Sequence, residues 1–203
     1  MEQRLAQRGI ANLARWTRGV DTALFRPGPR EEFPGGRPIF VYVGRVAVEK
    51  NIEAFLELNL PGTKWVVGDG PARADLERRF PAARFFGMKS GAELAWHYRQ
   101  ADAFVFPSRT DTFGLVLIEA MACGTPVAAY PVVGPIDVVQ DARAGILHQD
   151  LAVAAMAALQ LDRSCVRRYG EGFSWAVATA QFVANLHPVA TLHALPAAPQ
   201  PVR

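Results

Sequence analysis

PSRTDTFGLVLIEAMACGTPV, residues 107–127, sets the reading of the whole chain. It follows the apolar run AFVF at 103–106, which reads as a short buried strand. Residues 108–112 then form a polar loop, and Asp111 or Thr112 can cap the next helix with a side-chain oxygen. From 113 to 123 apolar residues fall on nearly every side, the pattern of a helix buried inside a larger protein. Gly124 supplies a left-handed stop and Pro126 forbids continuation. One charge, Glu119, stands in this helix. A lone carboxylate in apolar surroundings is unfavourable unless it is paired or hydrogen-bonded. Asp111 lies eight residues earlier, at the helix mouth, and two carboxylates so placed suit a grip on a polyhydroxy ligand. The plainer alternative is that Asp111 only caps the helix and Glu119 pairs with an arginine elsewhere.

Outward from this stretch the pattern repeats. Apolar runs at 39–43, 64–67, 83–86, 127–130 and 145–147 read as further buried strands. Helices are predicted over 51–58, 72–80 and 90–99, the last capped by Ser90, with a short turn of helix over 136–139. Residues 151–160 and 163–186 read as extra C-terminal helices. Such alternation demands an α/β fold: a doubly wound, Rossmann-like parallel sheet with right-handed crossovers and helices on both faces. Residues 1–38 are expected to hold an amphipathic helix over 2–17 and then a Gly- and Pro-rich linker. Residues 39–187 are the expected sheet domain, and the proline-rich 188–203 a disordered tail.

In sheets of this kind, ligands bind beyond the carboxyl ends of the strands. The loops after the strands therefore carry the chemistry. GRVAVEKN, residues 44–51, sets Arg45 and Lys50 five positions apart at a strand-to-helix junction. Two cations beside a helix N-terminus make a pocket for a diphosphate, the arginine through its planar fork and the lysine as a point charge. Pairing of both with Glu49 or Glu53 on a solvated surface is the alternative. The turn GDGP at 68–71 signals only a turn. No G-x-x-x-x-G-K-[ST], G-x-G-x-x-G or G-x-S-x-G is present, which disfavours P-loop, dinucleotide-binding and α/β-hydrolase readings.

Half of the 203 residues are apolar and a fifth charged, enough for a sizeable core. The net charge of +3 rests almost wholly on arginine, with no basic tract and no interleaved aromatics, so no nucleic-acid partner is expected. Cys123 and Cys165 give neither a disulfide framework nor metal-ligand spacing, and Cys123 reads as core. The histidines His97, His148, His187 and His193 are scattered, and His97 reads as a surface residue of its helix. No apolar run reaches the ~20 residues of a membrane span, and the N-terminus lacks the apolar core of a signal peptide. A reducing cytoplasm is the expected compartment.

Taken in order, these motifs resemble the C-terminal, nucleotide-sugar-binding half of retaining glycosyltransferases of the GT-B architecture and E-x7-E type (glycosyl transferases group 1). That family includes sucrose synthase relatives and bacterial lipid mannosyl- and glucosyltransferases. RGVDTALFRP resembles its interdomain linker, GRVAVEKN its diphosphate loop and VVGDGP the turn after its second strand. FFGMKSGAEL and HYRQADAFVFPSRTDTFGLVLIEAMACGTPV resemble its E-x7-E region, and FSWAVATAQFVANL its closing helix. The resemblance implies that Arg45 and Lys50 hold the diphosphate and stabilise it as it leaves. It implies that Glu119 grips the ribose hydroxyls, and that backbone N–H groups of Phe113, Gly114 and Leu115 contact phosphate and sugar. Asp111, with Thr112 in the same substrate loop, contacts the donor sugar, and Met88 and Lys89 lie near the base. Asp111 stands where the family often has glutamate, a departure that bears on how the sugar is gripped.

No cofactor or metal is implied, since the two cations stabilise the charge. The implied partners are a UDP- or GDP-linked sugar and a lipid or glycan acceptor. The resemblance also implies peripheral contact with the inner face of the cytoplasmic membrane and a separate N-terminal acceptor domain. Residues 1–17 are then a remnant of that domain's last helix, and the chain alone transfers little. The expected function is retaining transfer of mannose or glucose. The alternative is a non-catalytic nucleotide-sugar-binding module, or one subunit of a split glycosyltransferase. A receiver-like domain ranks last, because the first and third strands end in Gly44-Arg45 and Gly87-Met88 rather than in acidic residues.

Overall fold

The structure, a computed structural model, describes residues 5–186 apart from 12, 15 and 34. Its strands are β1 (Ile39–Val43), β2 (Thr63–Val67), β3 (Arg84–Phe85), β4 (Ala103–Phe106), β5 (Val127–Ala129) and β6 (Gly145–Leu147). They form one all-parallel sheet in the order β3-β2-β1-β4-β5-β6. Each strand is one of the predicted apolar runs to within two residues. Parallel strands buried on both faces need apolar side chains at every position, and β1 is buried throughout.

Side chains alternate along a strand, so each strand feeds two cores. Phe40, Tyr42, Val66 and Val105 pack on one face with α1 (Ile52–Leu56), α2 (Arg73–Arg79) and α6 (Leu151–Ala158). Ile39, Val41, Val43, Trp65, Phe104 and Phe106 pack on the other with α3 (Gly91–Gln100) and α4 (Leu115–Ala122). A short α5 (Pro135–Val138), then α7 (Arg163–Glu171) and α8 (Trp175–Ala184), complete the chain.

Four expectations are corrected. The helix predicted over 2–17 is not formed: residues 5 and 6 make one turn and the described residues from 10 to 19 are not helical, while residues 2–4, 12 and 15 lie outside the described residues. Gly9, with φ +78°, ends the turn. Trp16 and Thr17 instead strap α8: Trp16 Nε1 donates to the Ala178 carbonyl at 3.2 Å and the Thr17 N–H to Gln181 Oε1 at 3.0 Å. Secondly, 163–186 is two helices. They break where the Phe173 carbonyl accepts from the Val20 N–H at 2.8 Å and Ser174 Oγ accepts from the Val177 N–H at 3.2 Å. Thirdly, Ser90 occupies the cap position of α3 but makes no capping bond. Finally, His97 is buried, in an aromatic cluster with Trp65, Phe86 and Trp96. The linker runs past the amino ends of β1 and β4, where Arg37 reaches Asp102 at 2.9 Å. The tail at 188–203 lies outside the described residues.

Candidate nucleotide-sugar site

The strand order reverses between β1 and β4, and ligands of doubly wound sheets bind in the crevice that such a switch point opens. Here the two flanking loops meet. Lys50 Nζ lies 2.6 Å from Asp111 Oδ1, with both side chains largely buried. Asn51 Nδ2 donates to the Pro107 carbonyl at 3.0 Å, and Thr110 Oγ1 to the Glu49 carbonyl at 3.4 Å. Asp111 Oδ2 and Ser108 Oγ are buried in the same loop without a hydrogen-bond partner among the described residues. Native proteins rarely leave such buried atoms unpaired.

On its other side the β1 loop is tied to the loop after β2. The Val46 N–H donates to the Asp69 carbonyl at 2.9 Å, and the Ala72 N–H to the Val46 carbonyl at 3.1 Å. The contact is close enough that a Cβ at Gly68 would collide with the Gly44 carbonyl. Beneath it, Tyr42 Oη donates to the Arg45 carbonyl at 2.8 Å. Burial first, and then the nearby Asp111 and Glu49 charges, hold the Tyr42 phenol well above its ordinary range. It therefore stays a donor.

Between the ends of β1, β2 and β3 opens a cavity of about 560 Å³, lined by Gly44, Arg45, Gly68, Asp69, Met88 and Lys89 among others. Sequence reasoning placed Arg45, Met88 and Lys89 at one ligand, and the structure brings them to one cavity. Arg45 itself is mostly exposed and pairs with Glu49 at 3.2 Å, while Lys89 lies 3.5 Å from Glu93. The surface pairing weighed as the alternative thus holds for Arg45 and not for Lys50.

The helix mouth differs from expectation. α4 starts at Leu115, its cap residue is Gly114 in the left-handed region (φ +80°), and no side chain caps it. Asp111 lies three residues before that cap position, with one carboxylate oxygen engaged by Lys50; Thr112 is exposed. Phe113 and Gly114 are half-buried and Leu115 is half-exposed. Glu119, one turn deeper, pairs with no arginine among the described residues: Tyr98 Oη donates to its Oε2 at 2.9 Å. Burial raises the Glu119 carboxyl above its ordinary range, and the Tyr98 bond opposes the rise.

Three residues of this site were missed from sequence. Tyr42 and Tyr98 look like core aromatics, and nothing local reveals their hydroxyl partners. Asn51 carried a signal: asparagine tolerates the left-handed backbone at the end of a helical turn.

The family model for glycosyl transferases group 1 matches residues 37–162. The chain is 41% identical over 155 residues to a GDP-mannose-dependent alpha-mannosyltransferase of Mycobacterium tuberculosis, across 72% of this chain and 41% of that one. It is 39% identical over 181 residues to the protein of the same name from Mycolicibacterium smegmatis, across 83% of this chain and 48% of that one. The chain thus spans about half the length of these curated relatives. Among solved structures, sucrose-phosphate synthase of Thermosynechococcus elongatus superposes with a TM-score of 0.70 at 26% identity, covering 90% of this chain and 55% of that one. Structural neighbours of this kind are GT-B glycosyltransferases. With the family match spanning both loops of the Lys50–Asp111 contact and the sheet that carries them, the chain belongs to the glycosyl transferases group 1 family.

Proposed function

We propose that this chain is the donor-binding half of a retaining hexosyltransferase. It takes a nucleotide-diphosphate sugar, with GDP-mannose the first candidate and UDP-glucose the second, and passes the hexose to a lipid or glycan acceptor. The observation that carries the reading is the Lys50–Asp111 contact across the switch point, with Asp111 Oδ2 buried and without a partner among the described residues. A sugar hydroxyl supplies the missing donor to Asp111. Arg45 and Lys50 bear the charge that develops on the departing diphosphate, so no metal is needed for that step. The α4 N-terminus takes phosphate oxygens on the N–H groups of Phe113, Gly114 and Leu115. Glu119 accepts from ribose, Thr112 borders the sugar, and Met88 and Lys89 flank the base. The preference for a GDP donor is supported by the names of the two mycobacterial relatives.

The acceptor side of the cleft is assigned to a separate N-terminal domain. Work at the inner face of the cytoplasmic membrane belongs to the same reading. Among the described residues no helix is long and apolar enough to cross a membrane.

Calorimetric titration with GDP-mannose, UDP-glucose and ADP-glucose tests the donor assignment. Saturable binding of one of them is expected. Arg45→Ala and Glu119→Ala should each weaken it about tenfold or more, the worth of a charge-assisted hydrogen bond of roughly 1.5–3 kcal/mol. Binding left unchanged by both substitutions would refute the residue roles.

A further inference from the structure

We infer that Asn51 is a positioning residue of the donor site: it clasps the loop carrying Lys50 to the loop carrying Asp111 and so sets where the two charges meet. The inference rests on the donor-site reading above. Among the described residues Asn51 is the only non-glycine with positive φ, at +53°. It stands at the end of the 3-10 turn Val48–Lys50 and at the N-cap position of α1. Asparagine is a preferred capping residue, because its side-chain oxygen can take an N–H of the first helical turn. Here it makes no capping bond to α1. The left-handed backbone turns the side chain out of capping geometry, and its amide nitrogen reaches instead to the Pro107 carbonyl, 56 residues away.

That carbonyl lies just beyond the end of β4, where the sheet ladder has stopped. Lys50 is the adjacent residue, so the Asn51 bond fixes the root of the lysine side chain against the loop that holds Asp111. The other end of the Lys50 loop is already fixed, by Tyr42 at the Arg45 carbonyl and by the Val46 backbone on the β2 loop. Among the described residues, the other polar contacts that join the two loops are the Lys50–Asp111 pair and the long Thr110 contact. A donor diphosphate competes for Lys50, so that pair cannot hold the loops once a donor is bound. The Asn51 bond uses no ligand-facing group and can persist through binding.

Two substitutions separate the clasp from the backbone. Asn51→Gly and Asn51→Asp both tolerate a left-handed backbone, and neither can donate to the Pro107 carbonyl. GDP-mannose is the first probe and UDP-glucose the second, titrated into the full chain, with thermal unfolding followed in parallel. Both variants should fold and bind roughly tenfold more weakly than the parent. In a Lys50→Met background, Asn51→Gly should cost almost nothing further, because Asn51 acts through Lys50. Parent-like binding by Asn51→Gly would overturn the inference. So would an equal loss in the presence and absence of Lys50, which marks a purely structural role. A parent chain that binds neither nucleotide sugar overturns the donor-site reading and the clasp with it; a parent that binds while Asn51→Gly matches it overturns the clasp alone.

Discussion

His97 shows how one side chain departs from its local sequence. Its Nδ1 lies 2.7 Å from the Glu93 carbonyl and donates to it, which leaves Nε2 as a buried acceptor with no partner among the described residues. Burial first, and Lys89 after it, hold the folded imidazole below its ordinary value of 6.5. Between the folded and unfolded values the unfolded chain takes the proton and the folded chain does not. This contribution to stability is therefore present in full above the ordinary histidine range and is lost as pH falls through it. Thermal unfolding of the parent and of His97→Phe, followed between about pH 7.5 and pH 5.5, should show a smaller loss of Tm in the variant. Equal losses would mean that His97 titrates alike in both states. The residue scale is also where sequence reading was weakest. Asp111 looks like a cap until a lysine 61 residues away claims its carboxylate, and Glu119 looks unpaired until Tyr98 is placed. Partners brought by the fold leave no trace in spacing.

At the scale of elements the sequence was more informative, because a parallel strand must be apolar on both faces while most helices between strands keep a polar face. All six strands were legible for that reason. α4 was legible as a buried helix, with Leu117, Ile118, Ala120, Met121 and Ala122 buried, but its start was misplaced by two residues because Gly114 and not a polar side chain precedes it. The break after α7 was hidden by the apolar run FSWAVA, although Ser174 is the cap that marks it. α7 approaches α4 through Gly170, where a Cβ would lie 2.5 Å from the Ala122 nitrogen. Gly170→Ala should therefore push the helices apart and lower stability by about 1–3 kcal/mol, read from the denaturant midpoint. No loss would show that the helices can separate freely, and that α4 is not held from behind.

For the molecule as a whole, the sheet puts every candidate site residue at one edge, and the tertiary contacts decide how they work together. The loop after β1 is the middle piece. It is fastened to the β2 loop by backbone, to β1 by Tyr42 and to the β4 loop by Lys50 and Asn51. α8 leaves Trp175, Phe182 and Val183 substantially exposed, on an element that resembles the family's closing helix. Under the proposed division of labour, mannosyl transfer by this chain alone should be a small fraction of that by a full-length relative, measured by product formation with a lipid acceptor. Comparable turnover would contradict the assignment of the acceptor side to another domain. The claim that the donor lies at the β1/β4 switch point is tested most directly by amide chemical-shift mapping of the full chain during titration with GDP-mannose. The account predicts saturable shifts concentrated at Gly44 to Asn51, Gly68 to Gly70, Met88 to Lys89 and Asp111 to Leu115. Shifts confined to other surfaces, with these amides unmoved at saturation, would contradict it.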